Sequence, residues 1–355
     1  MSAQEKIQVA VLFGGRSTEH EISIITALQI LDAFDATRFD AFPVYVDQDG
    51  YWFLGEALRQ RDFYIPAGEK KDKLQRVQLT CDPEPQLVAF PKKAGLLSKP
   101  KQIAYPVDVF FPAFHGTYGE DGCIQGILEF IGVPYTGCGP RAASIGMNKF
   151  TCKMLLGGQD IPVLPDLLLI RNDWDPQKSD VLADEILHSL SLPLIVKPCN
   201  LGSSVAVSSA TTKDELMISL AGAFAFDHQI IVEPLLEDFY ELNISVFHGN
   251  PPRLSAIERP KREEDVLTYE QKYLQGNNKK TGADQGMASM QRDIEPADVP
   301  EEIKQQVKDC AIKAFRLLDA RGVVRFDYLV DKKSGNVYFN EINTLPGSLA
   351  YYLWE

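Results

Sequence analysis

The chain has 355 residues, a formal net charge of −13, and a composition that is 45% hydrophobic and 24% charged. This length predicts two or three domains, and the composition is typical of a globular protein. The acidic balance argues against nucleic acid as the main partner, because a phosphate backbone binds to a basic face. No apolar run approaches the roughly 20 residues that a membrane helix needs, so no membrane partner is expected.

The amino terminus and the cysteines indicate the compartment. A short apolar run, residues 7–13, is followed by Gly14 and Gly15, which is typical of a first strand and not of a signal peptide. The six cysteines are scattered along the chain without a C-x-x-C pair. This pattern is typical of reduced thiols, so we expect a cytoplasmic protein.

The first part of the chain predicts an α/β domain. Apolar runs at residues 7–13, 40–46 and 107–116 predict strands, and helical spacing of apolar residues follows over 18–34 and 123–132. Alternating strands and helices predict a parallel, doubly wound sheet. The intervening residues 55–105 are rich in Lys, Pro and Asp, and we expect loops and short strands there.

The pattern changes after this domain. A long helix is predicted over about residues 140–157, followed by strands at 192–198 and 228–236 and a hairpin over 240–258. A polar, glycine-rich stretch at 260–295 is a candidate mobile loop. The clearest helix spans 298–322, with Asp298 as its expected cap, and two paired strands follow it.

These last strands carry the strongest chemical signal. Asp327 lies in the first strand, while Glu341 and Asn343 lie two residues apart on the second and so share a face. If the strands pair, two carboxylates and an amide oxygen converge as a set suited to Mg²⁺ held against phosphate. Arg325, on the same face as Asp327, would place a fixed positive charge near a transferring phosphoryl group. The competing interpretation is that these charges pair with one another on a solvated sheet face.

Three other charged residues lie in or beside apolar strands. Lys197 needs a partner in order to be buried, and a triphosphate would be one. Glu233, or the backbone beside it, could meet the amino group of adenine, and Glu241 could bind a ribose hydroxyl. Each of them alone also fits an ordinary charge at the end of a strand.

Small or polar residues mark three further positions. Backbone N–H groups of the turn 202–204 could approach phosphate oxygens, although an ordinary hairpin turn has the same composition. His115 ends a buried strand, where a capping or core histidine is equally expected. Glu21 stands in the first turn of a helix, where a surface glutamate is favourable without any ligand.

Seven segments together resemble a known family. In chain order they are FGGRSTEHEIS, HGTYGEDGCIQGILE, PYTGCGPRAASIGMNK, IVKPCNLGSSVAV, EQKYL, RFDYLVD and NEINTLPG. These segments are similar to the motifs of D-alanine–D-alanine ligases, which belong to the ATP-grasp superfamily. The likeness runs from residue 8 to about residue 347.

The resemblance implies an α/β fold in three domains. An N-terminal domain with a doubly wound parallel sheet would span residues 1–137, and a two-domain ATP-grasp fold would follow, with subdomains 138–237 and 238–355. The last subdomain would contain the metal site and a mobile lid loop at about 261–290. The implied activity is the ATP-dependent ligation of two D-alanines through an acylphosphate, for peptidoglycan synthesis. ATP and two Mg²⁺ or Mn²⁺ ions would be required, and a homodimer is expected.

The resemblance also implies roles for residues that match the motifs. The expected ATP-binding residues are Lys149, Lys197, Glu233, Glu241 and Lys272. The expected metal ligands are Asp327, Glu341 and Asn343, beside the charge-stabilising Arg325. The residues expected at the first substrate are its ammonium anchor Glu21, the subsite residue His115, and the hydrogen-bonded partners Ser203 and Tyr273.

The segment after Pro346 departs from the family pattern. Relatives carry a bulky residue, then Thr, then a Ser-Leu or Ser-Met pair that holds the carboxylate of the second substrate, and they continue past residue 355 into a further helix. Here the run is SLAYYLW, so Gly347 and Ser348 are the candidates for that carboxylate. A different second substrate, such as D-serine, and a catalytically impaired nucleotide-binding homologue therefore stay open as alternatives. A Rossmann-type oxidoreductase is disfavoured, because the sequence lacks G-x-G-x-x-G.

Overall fold

The computed structural model of the protein describes residues 6–64, 73–81, 86–89, 103–261 and 292–354. The chain divides into two compact units, one of Met1–Pro140 with Gly347–Leu349 and one of Arg141–Pro346 with Ala350–Glu355. Within the described ranges, every helix is too short or too polar to span a lipid bilayer. The three predicted domain boundaries stay predictions.

The first unit is built on a seven-stranded sheet with the order β6-β5-β4-β3-β2-β1-β7. Its strands are β1 (Ile7–Gly14), β2 (Phe39–Val46), β3 (Trp52–Leu54), β4 (Gln75–Leu79), β5 (Gln86–Ala89), β6 (Ile103–Pro106) and β7 (Val109–Pro112). Strand β1 pairs in parallel with β2 and β7, as predicted for a doubly wound centre. The stretch expected to hold loops and short strands adds antiparallel strands that extend this sheet.

The first strand divides its side chains between two helices. Alternate residues of β1 point to opposite faces of the sheet. Val9 and Val11 pack on one face with apolar residues of α1 (His20–Ala33), and Ala10 and Leu12 pack on the other with residues of α2 (Cys123–Ile131). This is why β1 is apolar at almost every position: both of its faces are covered.

The second unit contains two sheets. A four-stranded sheet has the order β10-β9-β11-β8, and a five-stranded sheet has the order β14-β13-β12-β15-β16. The strands of the first are β8 (Leu167–Ile170), β9 (Leu194–Pro198), β10 (Ser208–Ala210) and β11 (Gln229–Pro234). Those of the second are β12 (Phe239–Phe247), β13 (Arg253–Pro260), β14 (Arg292–Ile294), β15 (Val323–Asp331) and β16 (Val337–Asn343). The helices α5 (Ser179–Ser189) and α6 (Lys213–Phe226) contribute to the apolar core of the smaller sheet.

The single long helix predicted over about residues 140–157 is wrong. Two helices occupy this stretch, α3 (Pro140–Met147) and α4 (Lys149–Gly157). They are separated by Asn148, whose extended backbone stops the first helix and whose side chain accepts a hydrogen bond from Thr151 N at 2.8 Å. An Asn in this role is a strong N-cap, so it begins a new helix with Lys149 at the first position.

The predicted C-terminal helix is present as α7 (Glu301–Leu317), but its expected cap is wrong. Pro300 occupies the N-cap position, and Asp298 Oδ2 instead accepts a hydrogen bond from Arg259 Nη1 at 2.7 Å. Val307 and Ala311 lie on the buried face of the helix, as the helical spacing predicted. The carboxylate of Asp298 is therefore used in a contact with β13 and not at the helix terminus.

Candidate active site

The predicted convergence on the last two strands is confirmed. Strands β15 and β16 pair antiparallel, with Asp327 opposite Glu341 and Arg325 opposite Asn343, and a bulge follows Asp327. Residues opposite one another in such a ladder project from the same face. Asn343 Nδ2 donates to Asp327 Oδ2 at 3.0 Å, so three oxygen-bearing side chains from two strands lie together.

A buried ion pair holds Asp327 in place. Arg325 donates two parallel hydrogen bonds to it, from Nε to Oδ1 at 2.7 Å and from Nη2 to Oδ2 at 2.8 Å. Burial raises the pKa of Asp327 to about 7, with Arg325 opposing this rise and the carboxylates Glu241 and Glu341 adding to it. Such crowding of like charges is what a divalent cation would relieve.

This donor set fits a divalent metal bound together with a nucleotide. Carboxylate and amide oxygens are the ligands that Mg²⁺ and Mn²⁺ prefer. Across the ranges that the structure describes, no cluster of three or more His, Cys, Asp and Glu side chains stands at metal-binding spacing. Two carboxylates and an amide fill only part of the octahedral shell of Mg²⁺, which would leave coordination positions for phosphate oxygens and water.

Lys149 connects helix α4 to these strands. Its Nζ donates to the carbonyl oxygen of Leu201 at 2.6 Å and lies 3.6 Å from Glu341 Oε2. The loop that it contacts contains Ser203, Ser204 and Ala206, all with positive φ (50°, 57° and 55°). Non-glycine residues rarely adopt this left-handed conformation. The loop is thus a strained turn and not the ordinary hairpin turn considered from the sequence.

A second predicted phosphate ligand, Lys197, lies in a buried charge cluster. Its Nζ is 2.7 Å from Glu233 Oε2 and donates to Asn340 Oδ1 at 3.3 Å. The other oxygen of Glu233 is hydrogen-bonded by Lys153. Burial would raise the pKa of Glu233, but the two lysines outweigh it and lower that pKa to about 2.

Lys153 is the site residue that the sequence interpretation missed. It was placed on the helix but given no role, although it follows Lys149 by four residues and so lies on the same helical face. Its side chain is 2% exposed. A lysine on the buried face of a helix is a signal for a carboxylate partner, but the sequence does not say which carboxylate.

Glu241 lies apart from that cluster, on β12. It lines a cavity of about 340 Å³, together with residues that include Tyr240, Arg259 and Asp298. Strand β12 pairs with β15, and Glu241 lies two residues before Asn243, which is opposite Asp327. Glu241 therefore stands at a cavity that both charged and apolar residues line.

The first unit contains four of the predicted substrate residues, Glu21, His115, Gly347 and Ser348, while Ser203 lies in the second unit. Glu21 is exposed in the first turn of α1, whereas His115 is only 4% exposed and contacts Thr26 Oγ1 through Nε2 at 2.8 Å. The same Thr26 oxygen accepts a hydrogen bond from the backbone N of Ser348 at 3.4 Å. Thr26, which the sequence interpretation passed over, thus joins the predicted first-subsite histidine to the segment after Gly347.

Three predictions lie outside the described residues. They are Lys272, Tyr273 and the part of the lid loop from 262 to 290.

The fold and the side chains of the second unit define a class of protein. Two lysines, one from a helix and one from a small antiparallel sheet, accompany acidic and amide side chains on a second antiparallel sheet, which is the arrangement of ATP-grasp enzymes. Family models agree: the D-ala D-ala ligase N-terminus matches residues 8–138, and the D-ala D-ala ligase C-terminus matches residues 155–354. The chain belongs to the D-alanine–D-alanine ligase family.

Individual relatives support this membership over nearly the whole chain. A D-alanine--D-alanine ligase of Heliobacterium modesticaldum is 38% identical, covering 99% of this chain and 90% of the relative. One of Thermosipho africanus is 36% identical, with 98% and 88% covered. Among solved structures, D-alanyl-alanine synthetase A of Vibrio cholerae has a TM-score of 0.78 at 28% identity, with 98% and 91% covered. The VanG D-Ala:D-Ser ligase of Enterococcus faecalis has a TM-score of 0.78 at 25% identity, with 98% and 92% covered.

Proposed function

We propose that this protein joins two molecules of D-alanine into D-alanyl-D-alanine, while ATP is converted to ADP and phosphate. The family supports the reaction, since the relatives reported above carry the name D-alanine--D-alanine ligase. The structural observation that carries the proposal is the pairing of Asp327 with Glu341 on adjacent strands, with Lys149 Nζ 3.6 Å from Glu341. Acidic metal ligands beside a lysine are what phosphoryl transfer from a nucleotide requires.

The proposed reaction has two steps. A carboxylate oxygen of the first D-alanine attacks the γ-phosphorus of ATP, the bond to the bridging oxygen breaks, and ADP leaves. The amine of the second D-alanine then attacks the carbonyl carbon of the acylphosphate, the carbon–oxygen bond breaks, phosphate leaves and the amine loses a proton. The first step is needed because a free carboxylate has no adequate leaving group. Catalysis is then mainly positioning and charge stabilisation.

The residues of the second unit supply the charges for phosphoryl transfer. Asp327, Glu341 and Asn343 would hold two Mg²⁺ or Mn²⁺ ions, which neutralise phosphate charge when they are bound. Arg325 keeps its guanidinium fixed on Asp327 and adds a positive charge that needs no reorganisation. The proposed nucleotide residues are Lys149 and Lys197 for the phosphates, Glu233 for the adenine side, Glu241 for the ribose and Lys272 for the lid contact.

The substrate roles rest on the family motifs. Glu21 would anchor the ammonium group of the first D-alanine, near His115, with Ser203 and Tyr273 as its hydrogen-bonded partners. Gly347 and Ser348 would bind the carboxylate of the second. The loop 261–290 would act as a lid that excludes water and so protects the acylphosphate from hydrolysis.

The family also suggests the compartment and the oligomeric state. We propose a cytoplasmic homodimer whose dipeptide product is used in peptidoglycan precursor synthesis. The scattered, free cysteines fit a reducing compartment. Sedimentation of the purified chain would test the dimer.

A phosphate-release assay tests the function. We expect release with ATP, Mg²⁺ and D-alanine, and none with L-alanine in place of the D-isomer. Cys199→Ala serves as a control that should keep full activity, because this buried thiol has a pKa raised by burial to about 12 and is thus a poor nucleophile. Release with L-alanine alone would contradict the proposed stereochemistry.

A different second substrate is the one alternative that a specific observation favours. The segment after Gly347 departs from the usual family pattern, and the D-Ala:D-Ser ligase resembles this chain as closely in fold as the D-alanyl-alanine synthetase does. Product analysis with equal concentrations of D-alanine and D-serine separates the two. If D-alanyl-D-serine predominates, the second substrate is D-serine and not D-alanine.

A further inference from the structure

The buried cluster of Lys153, Glu233 and Lys197 contains more positive charge than the single carboxylate needs. We propose that Lys153 is a positioning residue for nucleotide binding: it is the permanent partner of Glu233, so that Lys197 can leave Glu233 for a phosphate. This inference rests on the proposed function, because it assumes that Lys197 binds ATP.

The geometry distinguishes the two lysines. The Lys153 side chain is 2% exposed and is hydrogen-bonded to Glu233 Oε1, which is itself fully buried. The Lys197 side chain is 11% exposed, lies 2.7 Å from Glu233 Oε2, and also reaches Asn340 on strand β16 at 3.3 Å. Lys153 is therefore enclosed on helix α4, while Lys197 stands at the edge of the cluster, beside the strand that contains Glu341.

The charges explain why two lysines are needed. A buried carboxylate that loses its partner is strongly destabilised, because the protein interior cannot solvate the charge as water does. If Glu233 had Lys197 alone, moving that ammonium to a phosphate would leave Glu233 uncompensated. With Lys153 in place, the pair Lys153–Glu233 stays neutral after Lys197 has moved. The nucleotide then gains the Lys197 ammonium group, and the buried Glu233 carboxylate still has a cationic partner.

Other charges near the cluster are consistent with these separate roles of Lys153 and Lys197. Burial lowers the pKa of Lys153, Glu233 opposes this shift most strongly, and Lys197 adds to it, while Asp166 also favours the charged form. The repulsion between the two ammonium groups decreases when Lys197 moves away. Nucleotide binding should therefore strengthen the contact between Lys153 and Glu233.

Equilibrium binding of a non-hydrolysable ATP analogue with Mg²⁺, measured by calorimetry, tests the proposal without requiring turnover. Lys153→Met should weaken binding by about tenfold or more, because Lys197 must then remain with Glu233. The KM for ATP should rise by a similar factor, and the KM for D-alanine should stay within about twofold of the wild-type value.

A double variant separates this role from a merely structural one. In Lys153→Met/Glu233→Gln the carboxylate that Lys197 would have to neutralise is gone, so the affinity of this variant for the analogue should equal that of Glu233→Gln alone, to within about threefold. Lys304→Met is the matched control: it removes a buried lysine of the same unit whose partner, Glu295, is partly exposed, and it should bind the analogue as the wild type does.

The outcomes are decisive in each case. Wild-type affinity in Lys153→Met would overturn the proposal, and so would a double variant that binds more weakly than Glu233→Gln. If Lys153→Met does not fold, the double variant should still fold and bind like Glu233→Gln, and its failure would also overturn the proposal. A wild-type chain that binds the analogue but releases no phosphate with D-alanine would count against the proposed function, while the binding comparison would still decide the role of Lys153.

Discussion

Acidification should destabilise the first unit through His115. Burial lowers the pKa of this histidine to about 4, against an ordinary value of about 6.5, so the folded protein keeps it neutral. The groups that face it are Thr26, at 2.8 Å from Nε2, and Glu120, at 3.9 Å from Nδ1. Below pH 6.5 the unfolded chain binds a proton that the folded chain does not bind, which favours unfolding.

The magnitude follows from these two pKa values. Between pH 7.5 and pH 5.5 the contribution of His115 to the free energy of unfolding should fall by about 1.3 kcal/mol, and the full loss, approached below pH 4, is about 3.4 kcal/mol. Well above pH 6.5 the contribution is fully present. The loss therefore appears in the window between the unfolded and folded pKa values.

Urea unfolding at the two pH values measures this effect. Trp52 lies in the first unit, so its fluorescence in a Trp174→Phe/Trp354→Phe background reports on the unfolding of that unit. His115→Gln can keep a hydrogen bond to Thr26 and should reduce the loss of stability by about 1.3 kcal/mol. His188→Gln, at an exposed position of α5, is the control and should leave the loss unchanged. An equal pH dependence in wild type and His115→Gln would refute the reasoning.

Two further substitutions test contacts of the first unit. Thr26→Val removes the hydroxyl between His115 and the backbone of Ser348, so steady-state kinetics should show a higher KM for both D-alanines. Thr26→Ser keeps the hydroxyl and should retain the wild-type KM values. Equal kinetics in the two variants would contradict the assigned contact. Gly14→Ala should lower the free energy of unfolding by at least about 2 kcal/mol, because φ is 89° and the new Cβ would lie 2.3 Å from a backbone oxygen of β2. Gly132→Ala is the control in a urea titration, since φ is 72° but the new Cβ meets open space among the described residues. It should lower the free energy of unfolding by only about 1 kcal/mol. Equal decreases in the two variants would contradict the assigned clash.

The sequence predicted those parts of the fold that depend on local patterns. Apolar runs marked the central strands, and the two-residue period was sufficient to place Glu341 and Asn343 on one face. The pairing with Asp327 followed from a short connection between two strands, which leaves few alternatives. Local spacing and short loops therefore carried the prediction of the candidate metal site.

Contacts between distant segments could not be predicted in this way. Asp298 looked like a helix cap, but an arginine 39 residues earlier in the chain competes for it. Lys153 and Glu233 are 80 residues apart, and only the tertiary fold brings α4 and β11 close enough for them to meet. Asn148 was passed over inside the predicted long helix, although its side chain is suited to cap a new helix. In each case a polar side chain had several possible partners, and tertiary packing selected one of them.

The central claim is that oxygen ligands on β15 and β16 bind the divalent ions that accompany ATP. Electron paramagnetic resonance of Mn²⁺, titrated into the protein with a non-hydrolysable ATP analogue, measures this directly. The account predicts about two bound ions per chain in the wild type, and loss of bound Mn²⁺ together with loss of turnover in Asp327→Ala and in Glu341→Ala. Wild-type Mn²⁺ stoichiometry and affinity in both variants would contradict it.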